Sequence, residues 1–416
     1  MPLQRYAMPE APTPRAAAAP AWRLVVLSSL PGIRSAEGHW LLPAKFVNGM
    51  KQYVERWTGT VVVGLQAGHE PSGDLDNRQW NPSELPFEVR IVDFRELAGN
   101  GGPLLRRSIL LVTPNHLLYG LGQRCREQGG LLVANTELTL TTQLQIARSV
   151  HGWGLSLLKT RLWLLLNHRR ALAEIRSAQG LQCNGTPTFE AFGRHNPTPL
   201  LYFDNRVASE LCATPKEIEA RCEALSRRRR LRLMYSGRLH PIKGVDHLVP
   251  LARRLRDRNI DFELRIAGDG PLRATLEAQI AQHSLHEQVR LLGTLDFHDQ
   301  LMPMLRQEID LFVCPHLQGD PSCTYLETLC AGVPIVGYAN EAWRGLQRLS
   351  SAGRVCALGR PGALADEIEG LSTNLDALKA LAMSAREFAI QHVFEVEFER
   401  RIVHLQRLCE AAELRT

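Results

Sequence analysis

Three fragments of this chain combine residue types able to grip a diphosphate. In the first, Ser236-Gly237-Arg238-Leu239-His240-Pro241-Ile242-Lys243-Gly244, a guanidinium and an ammonium share one loop. Gly237 lets the backbone turn tightly and lets a ligand approach it closely. The forked donors of Arg238 and the movable point charge of Lys243 suit neighbouring phosphate oxygens. An ordinary charged surface loop has the same composition. The second fragment, Ile266-Ala-Gly-Asp-Gly-Pro271, is a tight turn ahead of a helix; Asp269 there caps the helix or touches a ligand.

The third fragment runs from Cys314 to Glu327 (CPHLQGDPSCTYLE). Asp320 and Pro321 read as N-cap and first helical residue, and Gly332 as the helix stop. A helix start facing a cleft offers free N–H groups and a partial positive charge, here through Ser322, Cys323 and Thr324. Glu327, two turns in, can accept hydrogen bonds from vicinal hydroxyls such as those of a ribose. The plainer readings are a simple cap for Asp320 and a partly exposed helix glutamate for Glu327.

Such residues need a scaffold. Short β-rich runs alternate with helical patterns, the signature of parallel α/β sheets. The first half predicts strands at Arg23–Leu27, Val61–Leu65, Val89–Phe94, Ile109–Val112 and Leu131–Ala134. A helical region over 140–178, a turn at Asn184-Gly-Thr-Pro187 and a run at Leu200–Phe203 follow. The second half predicts strands at Leu233–Tyr235, Glu263–Ala267, Val289–Leu292, Leu311–Cys314 and Pro334–Gly337. Helices are expected at His247–Arg258, Leu272–His283, Phe297–Arg306 and Pro321–Cys330, and from Pro361 to the end. The implied fold is α/β, with two Rossmann-like domains facing across a cleft and ligands beyond the carboxyl ends of the strands. The expected divisions are a disordered tail (1–20), a first domain (21–212), a linker (213–230), a second domain (231–390) and a final helix (391–416) returning to the first domain. Ser226-Arg-Arg-Arg-Arg230 reads as a solvated connector; without interleaved aromatics it is no nucleic-acid footprint.

Composition sets the outer limits. At 416 residues, 44% hydrophobic and 22% charged, the chain is long enough for two cores and far from the disordered class. Its formal charge of +6 suits an anionic small ligand or an acidic membrane surface. Nine scattered cysteines without a C-x-x-C pair, and a start lacking an apolar signal region, predict a reducing, cytoplasmic setting with cysteines as small core residues. No run is long and uncharged enough to span a bilayer. The basic amphipathic stretch Lys159–Arg170 fits either a buried domain helix or peripheral contact with anionic lipid. In the first half, His116 follows a strand end and is either structural or a catalytic, sugar-contacting group; Asn135-Thr-Glu137 is similarly placed. Asp74-Leu75-Asp76 reads as a surface loop rather than a metal site.

In this order and spacing, residues 231–345 resemble the donor domain of family-four retaining glycosyltransferases (GT-B fold, glycosyl transferases group 1). That family reads as strand, G-R, a few residues, K-G; then a G-D-G-P turn; then an acidic residue before a helix carrying a glutamate and ending A-x-G-x-P, with Cys330 here in the alanine slot. The resemblance implies that Arg238 and Lys243 hold a donor diphosphate and that Glu327 binds the nucleotide ribose. It implies that the loop Gly293-Thr-Leu-Asp-Phe297, through Leu295 and Phe297, contacts the base. Gly32 and Gly38, in the loop after the first strand, would bring backbone to the diphosphate. The family's E-x7-E becomes D-x6-E here: Gly319 lies eight residues before Glu327, and Asp320 takes the acidic slot beside the donor sugar. The implied activity is metal-independent transfer, with retention, from a UDP- or GDP-sugar to a glycan, lipid-linked or other hydroxyl acceptor. The altered acidic slot leaves a catalytically weak nucleotide-sugar-binding protein as the alternative. A dinucleotide dehydrogenase is poorly supported, since no G-x-G-x-x-G follows either opening strand.

Overall fold

The computed structural model describes residues 22–70, 77–151 and 154–414. The tail expected over 1–20 and the Asp74-Leu75-Asp76 loop lie outside the described residues.

The first domain contains β1 (Arg23–Gly32), β2 (Trp40–Pro43), α1 (Ala44–Arg56), β3 (Val61–Ala67), β4 (Asn77–Trp80), β5 (Glu88–Ile91), α2 (Phe94–Asn100), β6 (Ser108–Val112), α3 (Leu121–Glu127) and β7 (Leu131–Thr136). It continues through α4 (Leu140–His151), α5 (Leu155–Ser177), β8 (Gly180–Asn184), α6 (Gly185–Phe192) and β9 (Pro199–Tyr202). Seven of these strands form one parallel sheet in the order β5-β3-β1-β6-β7-β8-β9. β2 and β4 pair antiparallel beside it. The sheet's runs are continuous rather than alternating: β6 and β7 are buried along their whole length, as helices on both faces require.

The second domain contains α7 (Pro215–Arg228), β10 (Leu231–Ser236), α8 (Leu248–Asp257), β11 (Phe262–Ala267), α9 (Arg273–Gln282), β12 (Val289–Gly293), α10 (Met302–Gln307) and β13 (Leu311–Cys314). Then come α11 (Cys323–Cys330), β14 (Ile335–Tyr338), α12 (Glu341–Ser350), β15 (Gly353–Cys356), α13 (Pro361–Ser372), α14 (Leu375–Ile390) and α15 (Phe394–Glu413). Its sheet runs β12-β11-β10-β13-β14-β15, all parallel. Strand order therefore reverses between β1 and β6 in one sheet and between β10 and β13 in the other. At such switch points neighbouring loops depart in opposite directions and leave a crevice. This is the two-domain GT-B architecture.

Several sequence expectations are corrected. The linker expected over 213–230 is mostly the helix α7, while Arg227 and Arg229 of the arginine run are exposed, as expected of a solvated connector. α7 opens on a Thr214–Glu217 capping box and buries Ile218 and Leu225. Its Arg221 donates to the carbonyls of Leu305, Arg306 and Ala331 at 3.1, 2.8 and 3.0 Å. Arg228 pairs with the buried Asp310, and Arg230 with Asp261. The strand read as Val89–Phe94 ends at Ile91, because Asp93 accepts from the amides of Arg95 and Glu96 and starts α2. Gly32 is the last residue of β1 rather than part of a loop, and Asn184–Pro187 ends β8 and begins α6. β2, β4, β8, β15, α1, α2, α3, α6 and α12 were not anticipated. Cys212 and Cys330, 118 residues apart, are disulfide-paired with Cα atoms 4.7 Å apart, so they are not independent core thiols; the other seven cysteines are free.

α15 packs on the first domain. Its Phe398, Ile402, Leu405 and Cys409 share a core with Trp40, Val47, Met50 and Tyr53. Among the described residues no helix is long and apolar enough to cross a membrane.

Candidate functional site

The crevice of the second domain opens between the loops after β10 and β13. Lys243 belongs to the first loop and Asp320 to the second, and Lys243 Nζ donates to Asp320 Oδ2 at 2.7 Å. Lys243 is buried, with 7% exposure, so its amine is directed inward. Burial pushes the Asp320 carboxyl up, but the charge and hydrogen bond of Lys243, with a hydrogen bond from Gln318, outweigh it and hold it below the usual carboxylate value. Asp320 Oδ1 and both ring nitrogens of His316 are buried with no partner. Burial, reinforced by Lys243, lowers His316 to about 3, so the imidazole is neutral. Arg238 is exposed on the same loop as Lys243, and its carbonyl accepts from Tyr235 Oη at 3.0 Å.

Glycines set this loop's shape. Gly268, at φ +128°, lies so close to the Gly237 carbonyl that no side chain fits between them. Gly244, at φ +64°, sits equally close to the Pro315 carbonyl and joins the two loops. Asp269 is not a helix cap: its Oδ1 accepts from the Gly270 amide at 2.7 Å, while α9 starts later, after Leu272.

α11 begins at Cys323 with Ser322 as its N-cap, so Asp320 and Pro321 lie outside the helix. The Ser322 side chain makes no capping bond and instead donates to Thr324 Oγ1 at 3.2 Å; the Tyr325 amide donates to the Ser322 carbonyl at 3.2 Å, so the amides of Cys323 and Thr324 are the ones left without a side-chain cap. Glu327 is 4% exposed, not the partly exposed helix glutamate of the plainer reading. Its Oε1 accepts from Arg206 Nε at 2.8 Å, and the Arg206 guanidinium lies 3.9 Å from the centroid of the Phe297 ring. Phe297 is buried, and half-buried Leu295 packs on the same cluster. The loop 293–297 and Glu327 thus meet through a residue that sequence reasoning missed.

The first domain supplies the opposite wall. Lys45, at the start of α1, donates from Nζ to Asp204 Oδ2 at 2.6 Å and to Cys323 Sγ at 3.1 Å, so it reaches the start of α11. Desolvation lowers its pKa, yet Asp204 and Cys323 outweigh this and raise it, keeping the amine charged. Burial pushes the Cys323 thiol up to about 11 despite Lys45. Beside Lys45, a cavity of about 370 Å³ is lined by Asn135, Glu137, Tyr202, Asp204 and Arg401. Glu137 is reachable by solvent, but the crevice desolvates its carboxyl and raises its pKa, with Asp204 adding to the rise. A neighbouring cavity of about 250 Å³ is lined by His116, Asn135, Glu137 and Trp163. His116 is exposed there, its ring edge-on to Trp163 at 5.8 Å. Gly38 lies in a turn, its amide donating to Ser35 O at 3.0 Å, and a Cβ added to it would meet nothing.

The structure thus joins Lys243 to Asp320, and Glu327 to Phe297 through Arg206. Lys45, Asp204 and Arg206 carried no sequence signal, because their importance comes from contacts across the domain boundary.

Residues 218–388 match the family of glycosyl transferases group 1. Over 107 residues the chain is 34% identical to the putative glycosyltransferase EpsF of Bacillus subtilis (strain 168), covering 26% of this chain and 27% of that protein. It is 27% identical over 157 residues to the 2-deoxystreptamine N-acetyl-D-glucosaminyltransferase of Niallia circulans, covering 37% and 39%. The chain therefore spans well under half the length of these relatives. Its fold is similar to that of Anabaena Alr3699/HepE in complex with UDP, with a TM-score of 0.64 at 16% identity over 93% of this chain and 99% of that one. It is also similar to sucrose-phosphate synthase from Thermosynechococcus elongatus, with a TM-score of 0.63 at 15% identity over 94% and 100%. At these identities the structural likeness establishes the fold alone.

Proposed function

We propose that this chain is a retaining, family-four-type glycosyltransferase that moves a sugar from a UDP- or GDP-sugar to a hydroxyl of a glycan or lipid-linked acceptor. The observation that carries the reading is the Lys243–Asp320 pair at the switch point, beside an α11 start whose first-turn amides have no side-chain cap. Breaking a sugar–diphosphate bond builds negative charge on the leaving phosphate, and stabilising that charge more in the transition state than in the ground state accelerates the step. Lys243, Arg238 and the amides near Ser322, Cys323 and Thr324 would do so without a metal ion. Asp320 faces the donor sugar, Glu327 takes the ribose hydroxyls, and Leu295 and Phe297 border the base. Gly38 would bring backbone to the diphosphate. The acceptor occupies the first-domain cavities, where His116 contacts the sugar, and the leaving phosphate assists its deprotonation.

In this reading the second domain is the donor domain over 231–390, and the protein acts in the cytoplasm, at the inner face of a membrane. The complexes of HepE with UDP and with UDP-glucose support a nucleotide-sugar ligand in this fold.

Thermal-shift titration with UDP-, GDP- and ADP-sugars tests the donor class, since a ligand that binds only the folded state raises its melting temperature. Donor turnover with and without Arg238→Ala tests the chemistry. A wild type that binds a nucleotide sugar but neither transfers nor hydrolyses it would favour the non-catalytic alternative, which the shortened D-x6-E spacing motivates.

A further inference from the structure

Helix α5 breaks the rule that a surface helix turns its polar side outward. Its inward positions Leu157, Leu164 and Ile175 are buried, as expected. Its outward face, however, carries Leu155, Leu158, Leu162 and Leu166, which are 77%, 64%, 59% and 52% exposed. Spaced by three or four residues, these leucines form one continuous stripe. Exposed Leu165 and Trp163 flank it, and Val150 in the last turn of α4 is also exposed. Contiguous apolar surface of this kind marks an interaction site.

Charge identifies the partner. From residue 138 to residue 173 there is no aspartate or glutamate, while Arg148, Lys159, Arg161, Arg169 and Arg170 are all basic. Elsewhere the chain mixes both signs. Lys159, Arg169 and Arg170 are exposed on the leucine face itself. A second copy of the same face would set like charges against each other across a two-fold axis. An anionic bilayer satisfies both features: leucines enter the headgroup–acyl boundary while lysine and arginine meet lipid phosphates.

We propose that the outer face of α5, with the end of α4, docks this protein on an anionic membrane surface. The same helix has a second role. Trp163, Asn167 and His168 line the cavity that holds His116 and Glu137, so α5 separates that cavity from the docking face. An acceptor carried on a lipid would therefore reach the cavity along the side of the helix. This delivery rests on the proposed transferase reading, whereas docking does not.

The test is flotation of the full chain with vesicles of phosphatidylcholine alone and of equal parts phosphatidylcholine and phosphatidylglycerol. Binding is expected to be at least about tenfold tighter on the anionic vesicles and to weaken with salt. Leu158→Glu/Leu162→Glu/Leu166→Glu should abolish it with an unchanged melting temperature, because these side chains are exposed. Lys159→Glu/Arg169→Glu/Arg170→Glu should remove the preference for anionic lipid. Equal binding to both vesicle types, or a leucine variant that binds like wild type, overturns the proposal. So does a dimer in sedimentation velocity that the leucine changes dissociate. Nucleotide-sugar thermal shifts run in parallel keep the two readings apart: loss of lipid binding with an intact shift counts only against docking, and lipid binding without any shift counts only against the transferase.

Discussion

Arg206 bridges Glu327 and the ring of Phe297, its Nε bonded to the carboxylate and its guanidinium carbon 3.9 Å from the ring centroid. It comes from the segment after β9, where the chain leaves the first domain. It thereby ties the crossover to the part of the second domain proposed to hold base and ribose. A guanidinium can bond a carboxylate through Nε while its delocalised plane lies against a ring, and an ammonium has no such plane.

Arg206→Ala should weaken nucleotide-sugar binding by about tenfold, the worth of one charge-assisted hydrogen bond. Arg206→Lys should recover only part of the loss. Calorimetric titration measures both, and affinities equal to wild type would make the contact a bystander.

Lys243→Met leaves the Asp320 carboxylate in the crevice without its countercharge. The expected loss is about 3–5 kcal/mol of unfolding free energy, together with loss of transfer. Adding Asp320→Asn should restore most of the stability and none of the activity. Denaturant melts of the two variants beside activity assays separate these outcomes; a stable single variant would show that Lys243 is not the partner that matters.

Gly244→Ala places a Cβ in the left-handed region and against the Pro315 carbonyl. Gly359 has a similar φ, +73°, but open space around it, so Gly359→Ala isolates the backbone term. The first change should cost at least about 2 kcal/mol and the second about 1 kcal/mol. Equal costs in urea titration would mean that the two loops are not locked together at Gly244.

Acid should weaken the fold through His316. Its ordinary pKa of 6.5 falls to about 3 in the folded protein, so between these values the unfolded chain binds a proton that the folded chain excludes. Stability therefore drops as pH falls from about 6.5 toward 3. Asp320 acts in the same direction at the lower end, because its folded pKa lies below its ordinary 3.8. His316→Phe should flatten the melting-temperature profile over this interval. Some slope should persist from His404, which burial lowers to about 4.

Much of the scaffold was legible because its signals are local. Runs such as Val61–Val63 and Leu131–Val133 are too apolar and too short for anything but buried parallel strands. Gly268 and Gly270 marked a turn that only small residues can close. The start of α11 was misplaced because Asp320 satisfies every local capping rule, yet its carboxylate is claimed by Lys243, 77 residues earlier. Lys45 and Arg206 were invisible for the same reason: each is an unremarkable surface cation until the two domains face each other. The arginine run before β10 was read correctly as charged, but its anchors Asp261 and Asp310 lie where no spacing rule points. The leucines of α5 were legible only as two alternatives. Their pattern fitted either a buried helix or contact with lipid, and only the packed structure shows which of them face outward.

The position of α15 has a consequence for how the chain is made. Its residues complete the apolar centre beneath β1 and β3, and Arg401 hydrogen-bonds Gln182 at 2.9 Å from 219 residues away. A ribosome releases those residues only after the second domain. The domain begun first must therefore wait, with part of its interior unfilled, until the whole of the second domain has emerged. Deleting α15 would accordingly damage the amino-terminal half, and the two halves should not be separable by cutting the chain once between them.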